Sequence, residues 1–174
     1  IRAQKLRNSE EDKVKIFFVP SYLNGDDGVL NMPYYDLLVG MDLTAFPSYY
    51  EPWGYTPLES LAFKVPTITT TLAGFGLWVK EHYNMNHPGI EVIHREDGDA
   101  SNVATAIAEW VKNYTQVGET EMQKDRDNAK DVSRIALWDN LINYYKQAYT
   151  IALNQVSVRL KDLPANMNES VSYI

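Results

Sequence analysis

The alternation of short apolar runs with helix-forming segments is the feature that most restricts the fold of this chain. Three runs rich in β-favouring residues, 43–46, 65–70 and 90–94, stand between helical patterns. A fourth run, 14–19, ends at Pro20 and predicts a first strand that is buried on both faces. Regular alternation of strand and helix predicts an α/β fold, with a parallel sheet covered by helices on both faces.

Helical patterns fill the segments between and after these runs. Helices are predicted from Pro33 to about Met41, over 57–64, 74–83 and 101–113, and twice between 119 and about 155. One side of the 101–113 helix is apolar through Val103, Ile107, Trp110 and Val111. We therefore predict a partial Rossmann-like domain over 1–115, C-terminal helices over 116–156 that pack on it, and a polar tail over 157–174.

Composition removes several classes of function. The formal net charge is -7 and Lys and Arg form no dense cluster, so nucleic acid is not an expected partner. The chain has no cysteine, which rules out disulfides and thiolate metal sites and suits the reducing cytoplasm. No apolar run approaches the roughly 18 residues of a membrane-spanning helix, so no membrane partner is expected.

The densest group of unusual residues lies at 46–59, FPSYYEPWGYTPLE, where a strand end leads through an aromatic loop into a helix. Thr56 and Glu59 have the spacing of a capping box, with Pro57 at the first helical position. This pattern predicts that Thr56 is the N-cap. A purely capping role for Glu59 is as well supported as a binding role.

A nucleotide sugar fits the same group of residues. A helix start aimed at the carboxyl edge of a parallel sheet can hold a diphosphate, because its free N–H groups and dipole attract an anion. Gly54 would let the backbone approach the ligand closely. Tyr55 can stack on a nucleobase, and Glu59 can accept hydrogen bonds from the two ribose hydroxyls.

Glu51 and Glu59, separated by seven residues within YYEPWGYTPLE, carry a specific resemblance. Together with PTITTT at 66–71 and GFG at 74–76, they resemble eukaryotic-type glycogen synthase, a retaining glycosyltransferase of family 3. The similarity runs from about residue 14 to 76, and more weakly over 133–153. The segment between these two ranges is consistent with the fold but shows no specific similarity to the family.

The resemblance implies a GT-B architecture, in which two Rossmann-like domains face a cleft and the C-terminal one holds the donor. It further implies transfer of glucose from UDP-glucose or ADP-glucose, with retention and without a metal, to the non-reducing end of an α-1,4-glucan. This chain would supply the C-terminal part. The N-terminal domain, with the arginine and lysine that clamp the diphosphate, would lie upstream, so negligible transferase activity is expected from the chain alone.

Residue roles follow from the resemblance position by position. Glu51 would be catalytic, beside the donor sugar, where it supports an oxocarbenium-like transition state. The residues that would bind the donor are Tyr35, Trp53, Gly54, Tyr55, Thr56 and Glu59. Gly74 and Gly76 open a helix and fit equally well a second phosphate or sugar contact and a tight turn.

Other readings remain as alternatives. The short DxD pattern of metal-dependent transferases occurs at 97–99 and 125–127, but such triplets arise easily among 23 acidic residues. His82, His87 and His94 lack the spacing of metal ligands and are expected to be structural. The chain can instead belong to another GT-B glycosyltransferase or to a non-catalytic nucleotide- or glucan-binding module, and a homo-oligomer stays open.

Overall fold

A parallel sheet of three strands lies at the centre of the protein. The computed structural model describes residues 7–83 and 89–161. The strands are β1 (Thr44–Ala45), β2 (Thr67–Thr70) and β3 (Ile90–Ile93), and they lie side by side in the order β1-β2-β3. Thr67 is paired with Thr44 on one side and with Ile90 on the other. The parallel α/β fold predicted from the alternation is confirmed.

Six helices surround the sheet in the described ranges. They are α1 (Tyr34–Leu38), α2 (Tyr55–Ala62), α3 (Gly74–His82), α4 (Ala100–Tyr114), α5 (Glu119–Ile135) and α6 (Trp138–Lys161). Each predicted helix is present, and the terminal helical segment divides into two as expected. Helix α6 continues through residue 161, so the first five residues of the predicted tail are helical. The rest of that tail lies outside the described residues.

Helices cover both faces of the sheet. On one face, α2, α3 and α5 pack on β3 in a core of Leu61, Phe75, Val79, Ile90, Val92, Ala129, Val132 and Ala136. On the other face, Val103 of α4 packs on Ile68 and Ile93. The remaining apolar residues predicted for α4 lie against that second cluster. Alternate residues of β3 therefore serve opposite faces, as the pleat of a strand requires.

Buried hydroxyl groups connect α2 to the first two strands. The Oγ1 atom of Thr44 lies 2.6 Å from the Oγ atom of Ser60, and Thr67 donates to the Ser60 hydroxyl at 3.0 Å. Ser60 and Thr67 are fully buried. Because buried polar groups hold their partners in fixed directions, this network sets the orientation of α2 on the sheet.

The predicted first strand over 14–19 is wrong. This segment has no strand or ladder partner among the described residues. Phe17 and Phe18 are 66% and 70% exposed. A short apolar run becomes a buried strand only when a neighbouring edge supplies hydrogen bonds and both faces are covered, and no described element supplies either here.

The two terminal helices differ in how they pack. Helix α5 contributes Ala129 and Val132 to the main core. Helix α6 has no buried residue. Leu137, just before this helix, and Trp138 at its start are 53% and 65% exposed, so this apolar part of the chain is open to solvent.

Candidate functional site

Loops that follow the first two strands are bound to each other at the carboxyl edge of the sheet. The amide of Glu51 donates to the carbonyl oxygen of Leu72 at 3.1 Å. In return, the amide of Gly74 donates to the carbonyl oxygen of Glu51 at 2.9 Å, and the amide of Phe75 donates to the carbonyl oxygen of Trp53 at 2.6 Å. The start of α3 therefore holds the backbone of the loop that carries Glu51.

Gly74 and Gly76 are explained by this close packing. A Cβ atom at Gly74 would collide with the carbonyl oxygen of Pro52, and one at Gly76 would lie 2.5 Å from the carbonyl oxygen of Thr70. The amide of Gly74 already has the Glu51 carbonyl as its acceptor. Of the two readings, the geometry favours the tight turn, and a phosphate contact at these glycines stays a prediction.

The start of α2 differs from the predicted capping box. The helix begins at Tyr55, with Gly54 as its N-cap at φ 108°, so Thr56 is the second helical residue and not the cap. No side chain of the described residues caps the helix, and Glu59 makes no capping-box bond there. Glycine tolerates this left-handed conformation, which lets the helix start two residues earlier than the predicted Pro57. The first amides of α2 are consequently left without a side-chain acceptor, which is the arrangement that suits an anion.

Glu51 lies beside the start of this helix. A Cβ atom at Gly54 would stand 3.4 Å from Cγ of Glu51 and 3.3 Å from Cγ of Pro57. The Glu51 side chain is half-buried. The predicted catalytic carboxylate and the predicted phosphate-binding helix start are therefore neighbours, and Gly54 is what allows them to approach.

Glu59 is held by Tyr35. The Tyr35 hydroxyl donates to Oε1 of Glu59 at 3.1 Å, and its ring stacks on Phe63 with 5.4 Å between centroids. The hydrogen bond to Glu59 raises the pKa of Tyr35. Tyr35 thus fixes one oxygen of the predicted ribose-binding carboxylate. Its predicted contact with the base stays a prediction.

An open cavity of about 450 Å³ lies next to Glu59. Its lining residues are Ser21, Tyr22, Leu23, Tyr34, Thr56 and Glu59. The Tyr34 hydroxyl is buried and has no hydrogen-bond partner in the described part of the chain. Burial first, and the charge of Glu59 second, raise the pKa of Tyr34. The cavity brings Thr56 and Glu59 together with two tyrosines that the sequence reasoning did not single out.

Trp53 and Tyr55 face a different cavity. It measures about 510 Å³, and its lining residues are Trp53, Tyr55, Leu58, Trp78, Ala136, Leu137, Trp138, Leu141, Tyr144 and Tyr145. Tyr55 is 70% exposed. Tyr55 and Glu59 line different cavities although they lie four residues apart on α2, so the stacking role of Tyr55 stays a prediction.

The acidic triplets and histidines do not converge. Asp125 is buried in α5 while Asp127 bonds to Lys64 at 2.7 Å, since residues two apart on a helix face different directions. His82 hydrogen-bonds to the Trp78 carbonyl oxygen, and His94 hydrogen-bonds to the Glu96 carboxylate. His87 lies outside the described residues. Over 7–83 and 89–161, no group of three or more acidic or histidine side chains could hold a metal ion.

Comparison with known proteins agrees with the motif. A family model described as glycogen synthase matches residues 1–172. The chain belongs to the glycogen synthase family. The resemblance drawn from the two glutamates and their aromatic setting is thereby confirmed.

Curated relatives share the family over most of this chain. It is 33% identical over 159 residues to the glycogen [starch] synthase of Caenorhabditis elegans, and 33% identical over 156 residues to that of Neurospora crassa. The liver glycogen [starch] synthase of Mus musculus is 31% identical over 156 residues. These matches cover 89–90% of this glycogen synthase family chain but 22–23% of each relative. The chain therefore spans less than a quarter of the length of the relatives it matches.

Helix length and hydropathy were also compared with what a bilayer requires. Among the helices that the structure describes, none combines the length and apolar character needed to cross a membrane.

Proposed function

We propose that this chain is the donor-binding part of a retaining glucosyltransferase of glycogen synthesis. The enzyme would transfer glucose from UDP-glucose or ADP-glucose to the non-reducing end of an α-1,4-glucan, in the cytoplasm. The observation that carries the proposal is that the Glu51 side chain lies beside Gly54, at the uncapped start of the helix that also bears Glu59. The names of the curated relatives support the reaction class.

Each part of the donor has a counterpart in this site. The diphosphate lies at the start of α2, where Thr56 and the first amides supply donors and the helix dipole supplies positive potential. The ribose hydroxyls donate to Glu59, whose orientation is fixed by Tyr35. The nucleobase lies near Glu59, where the cavity lined by Tyr22 and Tyr34 and the exposed ring of Tyr55, four residues earlier on α2, offer aromatic faces.

Glu51 acts on the sugar. Its nearness to the start of α2 supports this role, because a carboxylate beside the diphosphate site can lie close to the sugar carbon from which the diphosphate departs. A negative charge there stabilises the developing oxocarbenium ion, and a fixed charge gives more stabilisation than mobile water. The remaining charge stabilisation, the acceptor site and the clamp on the leaving diphosphate come from the N-terminal domain of the same enzyme. No metal is required in this scheme.

Calorimetric titration of the chain with UDP, ADP and UDP-glucose tests the donor site. We expect weak binding of one nucleotide without metal, and no gain in affinity on adding magnesium. Glu59→Ala should weaken that binding by about 10-fold or more, while Asp131→Ala, a change at an exposed acid on α5, should leave it intact. Binding that requires magnesium, or that is as tight in Glu59→Ala as in the parent, would contradict the proposal.

A measurement of turnover separates an enzyme from a binding module. A full-length protein that carries this chain should extend a glucan from the nucleotide sugar, and the new bond should keep the α configuration. Nucleotide binding without any glucan extension would instead favour the non-catalytic module.

A further inference from the structure

Arg95 is a buried cation that none of the roles above uses. It lies two residues beyond β3, at the carboxyl edge of the sheet, and is 5% exposed. Its amide donates to the hydroxyl of Thr71 at 2.9 Å, and that hydroxyl in turn lies 3.3 Å from the Arg95 carbonyl oxygen. The backbone of Arg95 is therefore tied to the end of the central strand.

The side chain of Arg95 reaches from β3 across to the loop that leaves β1. Its Nη1 atom donates to the carbonyl oxygen of Pro47 at 2.6 Å and, more weakly, to that of Ser48 at 3.4 Å. The guanidinium carbon lies 3.5 Å from the centre of the Tyr49 ring. One arginine thus contacts three consecutive residues, and Glu51 follows two residues later.

No carboxylate balances this cation within the described ranges, where the ion pairs found do not include Arg95. Its Nε atom is also buried without a hydrogen-bond partner there. A buried charge without a counter-ion is costly, so a hydrophobic or neutral residue would serve stability better at this position. Arg95 instead directs its planar donors and its charge at loop carbonyls and an aromatic face, which a lysine cannot match.

The loop has little else to hold it on this side. Tyr49 and Tyr50 are 61% and 81% exposed, so burial of their side chains contributes little to its position. The hydroxyl of Thr70 donates to the Ser48 carbonyl oxygen at 2.9 Å, and it is the other side chain among the described residues that hydrogen-bonds to residues 47–49. Beyond Glu51, the start of α3 holds the chain. Arg95 and Thr70 together therefore fix residues 47–49, the part of the loop just before Glu51.

We propose that Arg95 is a positioning residue for Glu51: it fixes the loop over residues 47–49, and so places the carboxylate on which transfer depends. This inference rests on the proposed function of Glu51. Glu59 and Thr56 do not depend on Arg95, because α2 is attached to the sheet through Ser60. Loss of Arg95 should therefore affect turnover and spare nucleotide binding.

The test measures kcat for glucan extension and the Kd for UDP or ADP in a full-length protein that carries this chain. Arg95→Lys and Arg95→Gln should each lower kcat by about 100-fold, the effect of a displacement of about 1 Å at a reacting group. The Kd should stay within about 2-fold, because the lost interaction serves the transition state alone. Arg126→Gln is the matched control. Like Arg95, Arg126 donates to a backbone carbonyl oxygen, here that of Met41, and it also donates to the Asp42 carboxylate, away from this loop. The kcat of the Arg126→Gln variant should not change.

Two further variants, Thr70→Val and Glu51→Ala, make the result specific to the role of Arg95. The first tests the loop without changing Arg95, and the second tests the proposed function of Glu51 itself. Thr70→Val removes the second contact to Ser48 with little change of volume, and should lower kcat by about 10-fold if the loop must be held. Equal loss of kcat and nucleotide affinity in the Arg95 variants, or an unchanged kcat in Thr70→Val and Arg95→Lys, overturns the positioning role. If Glu51→Ala retains turnover, the proposed function is wrong. If Glu51→Ala is inactive while the Arg95 variants keep full kcat, only the role of Arg95 is wrong.

Discussion

Replacement of Gly74 by alanine tests whether close packing at the start of α3 holds the loop that carries Glu51. The added Cβ atom would collide with the Pro52 carbonyl oxygen and stand 3.1 Å from its carbonyl carbon and 3.4 Å from Cα of Trp53. All three are backbone atoms, so no side-chain rotation can relieve the contact. The Pro52 carbonyl must retreat by about 1 Å to reach an ordinary separation.

Two effects of that displacement can be estimated. Overpacking against backbone should lower the free energy of unfolding by about 1–3 kcal/mol. A shift of about 1 Å in the segment next to Glu51 should lower kcat by about 100-fold, because reacting groups tolerate little misplacement. Nucleotide affinity should change much less, since the atoms nearest to the added Cβ belong to Pro52 and Trp53 and not to Thr56 or Glu59.

Urea unfolding of the chain and turnover of a full-length protein that carries it measure the two effects. Gly118→Ala is the control, because Gly118 has an ordinary φ of -76° and its added Cβ would meet nothing within 4 Å. The reasoning is refuted if Gly74→Ala unfolds within about 0.5 kcal/mol of the parent and keeps full kcat.

Three other changes have defined outcomes. Glu51→Ala should lower kcat by about 100-fold or more while sparing the Kd for nucleotide, and an equal loss of both by steady-state kinetics and calorimetry would mean that Glu51 is misplaced. Glu59→Ala should weaken nucleotide binding by about 10-fold or more without a capping cost to α2, since Glu59 makes no capping bond; thermal unfolding should show an unchanged midpoint. Burial raises the pKa of Asp125, so its charge destabilises the fold increasingly as pH rises above the unfolded pKa. Asp125→Asn should therefore raise the unfolding midpoint at pH 7, with a gain that disappears below about pH 4; the same gain at both pH values would contradict this assignment.

Much of the architecture and part of the site were predictable from local patterns. Residue spacing fixes helix periodicity, so the apolar side of α4 was found correctly from Val103 to Val111. The group at 46–59 was also placed correctly, because Gly, Pro and aromatic residues at a strand end are uncommon together. Prediction failed where a pattern has two physical outcomes. The apolar run at 14–19 has the same composition whether or not a neighbouring strand exists, and Thr56 with Glu59 has capping spacing whether or not Gly54 starts the helix first.

Some site residues could have been found and others could not. Arg95 follows a strand at the ligand edge of a parallel sheet, and that position alone marks it for attention. Tyr34 gave no such signal. It lines the cavity beside Glu59 because the loop over residues 21–33 folds back, so that the Tyr34 amide donates to the Leu23 carbonyl oxygen at 2.9 Å.

The sequence by itself determined the alternation that requires a parallel sheet, the family, and the two glutamates on which its chemistry is proposed to depend. Only the tertiary structure decided which groups hold them. Tyr35 reaches Glu59 across 24 positions of sequence, and Arg95 reaches Pro47 across 48. Contacts of that separation depend on how the helices pack on the sheet, and no local propensity or spacing encodes the direction in which a single side chain finally points.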